Sequence, residues 1–498
     1  MKNHSLLITL FFTCQLFSQE ISFQVVDSLH QESIPFATVM TNFGANSITN
    51  EEGFFRLHVA RQLTTEDSLF VSSMGYETFQ DAFLNLKDSI IYLPQKIIAL
   101  NNVIVSQNTL SAEEIVKKVN EQVKEKYDLS LNVKTFFMRE SFYQNWEKLE
   151  LNIDKTSIKE FNQRFWDSLF TTLPKKDEFH TESFGKIYGD WSEKNQKLHL
   201  LKAADLADTL NQRGYEQIGS KITTILDESV KENSYFKIKS GLLLSTKIDR
   251  EDLIEKEDDS LETDQQNEEE NKNKRFHKNR KNQIVEAFTS LIKGEKLDIS
   301  ILKKTHLYTY EITDFTYINT VPVYQISFQP SGSKGKFKGV LYVDADNYSL
   351  IQMTYENTQS LKNISLFGFS FDLFGRTVNL KFNQFKRERY QLQFIEQENR
   401  FKVRIDRPLK IVEKNKYVKG RRKQNELKGQ LLMQLNQSSK FTLVLFDNTS
   451  ITEKDFSELK EEKTFKQDRL DSYDPNYWKD FTIIEPNAAI QSFKVHKD

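Results

Sequence analysis

Short runs of β-branched and aromatic residues, each followed by turn residues, recur through most of this 498-residue chain. They are densest between residues 305 and 450, where the turn Asp344-Ala345-Asp346-Asn347 joins two of them. Such runs predict strands, and a long series of neighbouring strands favours one antiparallel sheet. The sequence therefore predicts a fold that is mainly β with some α, in which residues 284–498 form an antiparallel half-barrel sheet. The predicted strands of this sheet are 307–312, 323–328, 339–343, 350–355, 376–385, 389–397 and 439–446.

Residues 20–106 contain a second set of short runs, which predicts a separate β-sandwich. The segments 34–39 (Ile-Pro-Phe-Ala-Thr-Val), 49–55 (Thr-Asn-Glu-Glu-Gly-Phe-Phe) and 74–76 (Met-Gly-Tyr) resemble those of the carboxypeptidase-regulatory-like domain. That domain is a prealbumin-like sandwich found at the N-termini of exported proteins in some Gram-negative bacteria. The resemblance implies an accessory domain without catalytic residues.

A second resemblance concerns the predicted hairpin 339–351, whose first strand reads Gly-Val-Leu-Tyr-Val-Asp. This hairpin is similar to those of periplasmic lipoprotein-carrier-like half-barrels, in which a sheet shelters acyl chains. The resemblance implies an apolar, Phe-lined cavity inside the 305–450 sheet.

Residues 107–250 are expected to form a helix followed by a mixed α+β region. Ser111 and Glu114 make a capping-box pattern, and the apolar spacing that follows predicts a helix over 112–127. A second helix is expected over 198–229. Residues 251–283 contain almost no apolar side chains but two blocks of opposite charge, which predicts a disordered, solvated insertion.

The first residues decide the expected location of the protein. Lys2 and the apolar run 6–12 predict that residues 1–19 are a signal peptide, so the chain is expected to be exported to the periplasm or the outer membrane. The single cysteine, Cys14, lies within this segment, so the exported chain would contain no thiol. No later apolar run is long enough to predict a transmembrane helix.

Motifs for catalysis are not found in the sequence. None of the eight histidines begins a zinc-peptidase motif, and the nucleophile elbow and the phosphate loop are also missing. We therefore expect no enzyme activity, no metal site and no cofactor. The 69 basic and 71 acidic side chains nearly balance, which argues against nucleic acid as a partner.

One local charge excess points to a binding site. Residues 402–428 contain eleven Lys or Arg and three acidic residues, and the alternative to a binding site is a solvated loop. The candidate residues for contact with an anionic surface are Lys410, Lys414, Lys416, Lys419, Arg421, Arg422 and Lys423. The expected partner is an envelope protein, or lipid or polysaccharide at the outer membrane. The sequence thus favours a non-enzymatic envelope protein that acts by binding or assembly, with a periplasmic lipid carrier and an envelope hydrolase as alternatives. The oligomeric state stays open.

Overall fold

The computed structural model of the chain describes residues 19–96, 110–240, 244–249, 261–384, 389–418 and 423–494. The chain divides into two compact units. The smaller unit combines Met1–Ile97 with Pro475–Asn487, and the larger unit combines Ile98–Asp474 with Ala488–Asp498. The prediction of a fold that is mainly β with some α is confirmed.

The smaller unit contains two sheets around one apolar core. One sheet has the order β4-β1-β7 and the other has the order β3-β2-β5-β6. Val25, Phe55 and Leu93 of the first sheet share a buried cluster with Val39 and Val71 of the second. Strand alternation explains this arrangement, because every second side chain points towards the same core. The strands are β1 Gln19–Asp27, β2 Thr38–Thr41, β3 Asn46–Ile48, β4 Phe54–Val59, β5 Ser68–Ser72, β6 Phe79–Ala82 and β7 Ile90–Leu93.

The aromatic segment near the C-terminus belongs largely to the smaller unit. Residues 475–487 were expected to be part of the 284–498 half-barrel, but they belong to the smaller unit. The reason is a set of specific contacts: the Arg56 guanidinium pairs with Glu485, and Thr482 Oγ1 accepts the N–H of His58 at 3.1 Å. Trp478, in the same segment, is 1% exposed.

The larger unit is built on one 15-stranded sheet. Its main path is β15-β16-β17-β18-β20-β21-β22-β8-β9-β10-β24. Off this path, β11 pairs with β21 and β12, β19 pairs with β20, and β23 pairs with β8. Among the described strands of this sheet, all pairings are antiparallel except that between β10 and β24. The strands of this sheet before residue 250 are β8 Asn132–Thr156, β9 Lys176–Gly189, β10 Gln196–Ala207, β11 Ser234–Ser240 and β12 Leu244–Asp249. Strands β13 Ile292–Lys293 and β14 Lys296–Leu297 form a separate two-stranded sheet. The later strands are β15 Tyr308–Ile318, β16 Val321–Pro330, β17 Phe337–Asp344, β18 Leu350–Asn357, β19 Lys362–Leu366, β20 Phe369–Asn383, β21 Gln391–Asn415, β22 Lys423–Leu445, β23 Thr449–Ser450 and β24 Asp468–Leu470.

Helices of the larger unit pack against this sheet and its connecting segments. Tyr127 follows α2, is fully buried, and donates a hydrogen bond of 2.9 Å to the carbonyl of Leu350. The α5 residue Phe288 contacts Trp191, with ring centroids 5.2 Å apart. The helices are α1 Ala112–Glu121, α2 Val123–Lys126, α3 Gln163–Thr172, α4 Thr209–Ser229, α5 Leu261–Leu291, α6 Ser300–Lys303, α7 Glu453–Glu458 and α8 Ala488–Gln491.

Two local predictions differ from the structure. Residues 196–207 form β10 rather than the start of a helix, because the buried side chains Leu198 and Leu200 alternate along a strand that pairs with β9. Residues 261–283 lie in α5 rather than in a disordered insertion. The buried stripe of this helix includes the polar residues His277 and Arg280, and a count of apolar residues misses it. Residues 251–260 of the predicted insertion lie outside the described residues.

The expected domain boundaries also differ from the compact units. Strands β8, β9 and β10 come from the 107–250 region, yet they continue the sheet formed by strands after residue 284. The expected boundary after residue 283 lies inside α5. A strand at a sheet edge can recruit a partner from any part of the chain, so sequence proximity did not reveal this pairing.

Candidate anion-binding surface

The long strands β8, β21 and β22 extend to an end of the sheet where β11 and β12 join them. One side of this end is covered by an apolar core that includes Phe236 and Leu427 of the sheet. Three further residues pack into the same core: Phe161 from the segment between β8 and α3, Trp166 from α3, and Ile225 from α4. Because successive side chains of a strand point to opposite sides, the residues between these apolar positions face away from the core.

A row of four lysines crosses the uncovered side. Lys239 of β11 lies opposite Lys410 of β21, Lys410 lies opposite Lys428 of β22, and Lys428 lies opposite Lys155 of β8. Directly opposite residues of an antiparallel pair have Cβ atoms about 5 Å apart on the same side of the sheet. Like charges in this arrangement destabilise the sheet, so fold stability alone does not account for the row.

Further lysines lie beside the row on the same side. Lys237 is two positions from Lys239 and lies opposite Lys247 of β12, while Lys414 lies opposite Lys423. We call the complete set the lysine face. Its members are Lys155, Lys237, Lys239, Lys247, Lys410, Lys414, Lys423 and Lys428.

Glu426 holds part of the lysine face together. Its side chain is 2% exposed, and its carboxylate lies 3.0 Å from the Nζ of Lys410, 3.4 Å from that of Lys155 and 3.8 Å from that of Lys428. Lys423 also donates a hydrogen bond to it. The hydrogen bond from Lys423, followed by that from Lys410, lowers the pKa of Glu426 to about 2. The carboxylate therefore stays ionised and balances one of four ammonium groups.

The ammonium groups remain accessible to an external anion. The side chains of Lys155, Lys410, Lys423 and Lys428 are between 40% and 61% exposed. A second carboxylate, that of Asp249 in β12, lies beside the lysine face. It forms an ion pair with Lys247, with the Nζ atom 3.0 Å from the carboxylate oxygen. The eight lysines of the face, together with Glu426 and Asp249, carry a formal charge of +6.

The predicted basic residues are only partly brought together. Lys410, Lys414 and Lys423 belong to the lysine face, and Lys416 lies 3.9 Å from Asp249 at its border. Lys419, Arg421 and Arg422 lie outside the described residues. Lys155, Lys237, Lys239 and Lys247 were missed, because they are distant in sequence from the 402–428 stretch. The only sequence signal for them is the alternation of lysine and apolar residues in Lys237-Ile238-Lys239.

Two cavities lie elsewhere in the larger unit. One of about 930 Å³ lies on β15 to β20, where Tyr310, Phe328 and Tyr355 line it together with four hydroxyl side chains and three charged ones. Another of about 610 Å³ is lined by Tyr143, Arg400 and other mostly polar residues. Neither has the Phe lining that the resemblance to lipoprotein carriers implies.

Within the described ranges, no group of three or more His, Cys, Asp or Glu side chains could hold a metal ion. Among the same residues, no helix is both long and apolar enough to span a membrane.

Comparisons with protein-family models, with curated proteins and with solved structures find no match for this chain. The resemblances of residues 20–106 and of the 339–351 hairpin therefore stay predictions.

Proposed function

We propose that this protein is a non-enzymatic cell-envelope protein that binds an anionic lipid or polysaccharide surface through the lysine face. The row Lys239-Lys410-Lys428-Lys155 is the observation that carries the proposal, because it places four like charges side by side at a cost to stability. An external anion offsets this repulsion. The flat arrangement over five strands suits an extended surface better than a small anion in a pocket.

The expected binding energy is modest and depends strongly on salt. A lysine near an anionic lipid surface contributes about 1 kcal/mol. Because the exposed ammonium groups lie in water, salt weakens their attraction to the surface over distances of about 8 to 10 Å. The exported location expected from residues 1–19 places the protein where phospholipid headgroups and anionic polysaccharides are both available.

The lipid-carrier alternative is less well supported. The cavity of about 930 Å³ has the volume a carrier needs, but Thr309, Ser327, Thr354 and Thr377 contribute to its lining. An acyl chain would also displace water from the charged side chains of Glu311, Lys338 and Glu356 in the same lining, which is unfavourable. For a hydrolase, no observation among the described residues favours a particular site.

The proposal is tested by binding to two kinds of anionic surface. Binding to an anionic lipid surface is measured by sedimentation with vesicles of phosphatidylglycerol and phosphatidylcholine. Binding to an anionic polysaccharide is measured by retention on dextran sulfate agarose. Both measurements are made at low and at high salt. Replacing Lys239, Lys410 and Lys428 by Gln is expected to weaken binding to at least one surface by about 100-fold, since three contacts of about 1 kcal/mol are lost. A loss of binding to the vesicles indicates a lipid partner, and a loss of binding to dextran sulfate indicates a polysaccharide partner.

A matched control removes the same charge elsewhere. Lys117, Lys124 and Lys454 are 55%, 69% and 81% exposed and lie outside the lysine face. Replacing these three by Gln should change binding by less than about threefold, because net charge alone acts weakly at a distance in salt. Equal losses in the two triple variants, or no wild-type binding to either surface, would refute the proposed function.

A further inference from the structure

Among the described residues, the opposite side of the same sheet carries a partly exposed apolar band between two covered regions. One row of the band runs Ile364-Phe371-Val403-Leu435-Trp146, and the next runs Leu366-Phe369-Ile405-Met433-Leu149. All ten side chains are apolar, yet none of them is buried. Towards one end of β8 the sheet is covered by α3 and α4, and towards the other by α5, whose Arg280 pairs with Glu140 of β8. A contiguous apolar area left open between two cores is a mark of an interaction site.

The band ends at the exposed strand β19, which forms a hairpin with β20. All five residues of β19 are exposed, with Ile364 at 39% and Leu366 at 57%. Among the described residues β19 pairs only with β20, so its outer edge is open. The strand has no proline, and its only charge is Lys362 at the start. It therefore lacks most of the devices that protect an edge strand from further pairing.

The hairpin geometry shows which backbone groups are available. The turn has two residues, Phe367 and Gly368, with φ of 49° and 78°, so the flanking pair Leu366 and Phe369 exchanges both of its hydrogen bonds. Hydrogen-bonded and non-hydrogen-bonded pairs alternate along an antiparallel ladder. The N–H and C=O groups of Asn363 and Ser365 therefore point outwards from the sheet. An added strand could form four main-chain hydrogen bonds with them.

The residue at the tip of the turn supports a role in binding. Phe367 is 61% exposed and has a backbone conformation that a bulky side chain adopts unfavourably. A turn of this type prefers Asn before Gly. An exposed Phe in a strained position contributes nothing to packing in the free chain, which favours a contact made outside it.

We infer that the open edge of β19 binds an extended segment of a partner protein, which adds a strand there and has apolar side chains at alternate positions and a carboxylate near Lys362. Two rows over five strands span about 300 Å², taking strands about 4.8 Å apart. A stable dimer needs about 800 Å² from each partner. The band is therefore too small to hold a second copy of this chain on its face, whereas a strand added at the edge of β19 extends both apolar rows by one strand. The exposed ammonium of Lys362 supplies the charge complementarity.

This inference is independent of the lysine face, which lies on the other side of the sheet. The test uses a phage-displayed library of random decapeptides, selected on the full-length protein. We expect enrichment of peptides with alternating apolar residues, and protection of the Asn363 and Ser365 amides from hydrogen exchange in the complex. The selected peptide should bind Ser365→Pro at least tenfold more weakly, because this change removes an outward N–H without breaking the β19–β20 ladder.

Two further variants separate binding from folding. Ser365→Ala keeps the backbone N–H and should bind within about twofold of wild type. Phe367→Asn should raise the melting temperature, because Asn suits the turn, and should still weaken peptide binding at least threefold. Undiminished binding by Ser365→Pro, or no enrichment of alternating peptides, would overturn the inference. So would a concentration-dependent dimer that Ser365→Pro abolishes, since the occupant would then be a second copy.

Discussion

At the scale of single residues, Glu426 reconciles the lysine face with a stable fold. It is the carboxylate nearest to four lysines that come from three strands. Without it, Lys410, Lys428 and Lys155 would face one another with no counter-ion in the row. The same carboxylate lowers the charge that an external anion meets, so it supports the fold at some cost to binding.

Replacing Glu426 by Gln should therefore have opposite effects on stability and on binding. We expect the free energy of unfolding of the larger unit to fall by about 2 kcal/mol, because hydrogen bonds to a charged group are lost. Binding to phosphatidylglycerol vesicles at low salt should become tighter. Denaturant unfolding and vesicle sedimentation measure the two effects, with the exposed Glu458→Gln as control. A variant that loses both stability and binding would contradict this role.

The same residue gives a dependence on pH. The folded-state pKa of Glu426, about 2, is below the ordinary value of 4.5, so its stabilisation is present above pH 4.5 and is lost as the pH falls towards 2. Over that range the wild type should lose more stability than Glu426→Gln. Parallel curves for the two proteins would be inconsistent with the lowered pKa.

At the scale of elements, α5 shows how a helix rich in charge can still be part of the core. His277, Arg280, Ile284 and Phe288 follow the spacing of one helix face, and each is at most 7% exposed. The Arg280 guanidinium pairs with Glu140 of β8, and Gln283 donates a hydrogen bond to the same carboxylate. The helix is therefore held to the sheet by buried polar contacts as well as by apolar ones.

Removing only one charge of this pair should be costly. Arg280→Met leaves the buried Glu140 carboxylate without its ion pair, and we expect a loss of about 3 to 5 kcal/mol in the free energy of unfolding. The double variant Arg280→Met, Glu140→Met should recover most of this loss. Lys274→Met, on the exposed side of α5, should change stability by less than about 1 kcal/mol. A double variant no better than the single one would argue against the pair as the cause.

At the scale of the whole molecule, the sequence predicted what depends on near neighbours. The capping box at Ser111 and Glu114 is present, and α1 starts there. The turn at 344–347 forms because the Asp344 carboxylate accepts the N–H groups of Asp346 and Asn347, as expected for turn residues. Both features depend on residues within a few positions of one another.

Features that depend on distant pairing could not be predicted. The register that places Lys155 opposite Lys428, and Lys410 opposite Lys239, joins strands from four separate parts of the chain. A shift of one residue would send these side chains to the apolar side. The placement of 475–487 in the smaller unit depends equally on distant partners such as Arg56. Local composition reveals only the Lys-rich stretch in β21 and β22.

Protection of individual lysines from acetylation tests the central claim most directly. The full-length protein is acetylated briefly with and without phosphatidylglycerol vesicles or dextran sulfate, and each lysine is quantified by mass spectrometry. We predict at least threefold slower acetylation of Lys155, Lys239, Lys410 and Lys428 with one of these surfaces, and unchanged rates at Lys117, Lys124 and Lys454. Bound protein in which the lysine face reacts as fast as in the free protein would contradict the proposed role of this face.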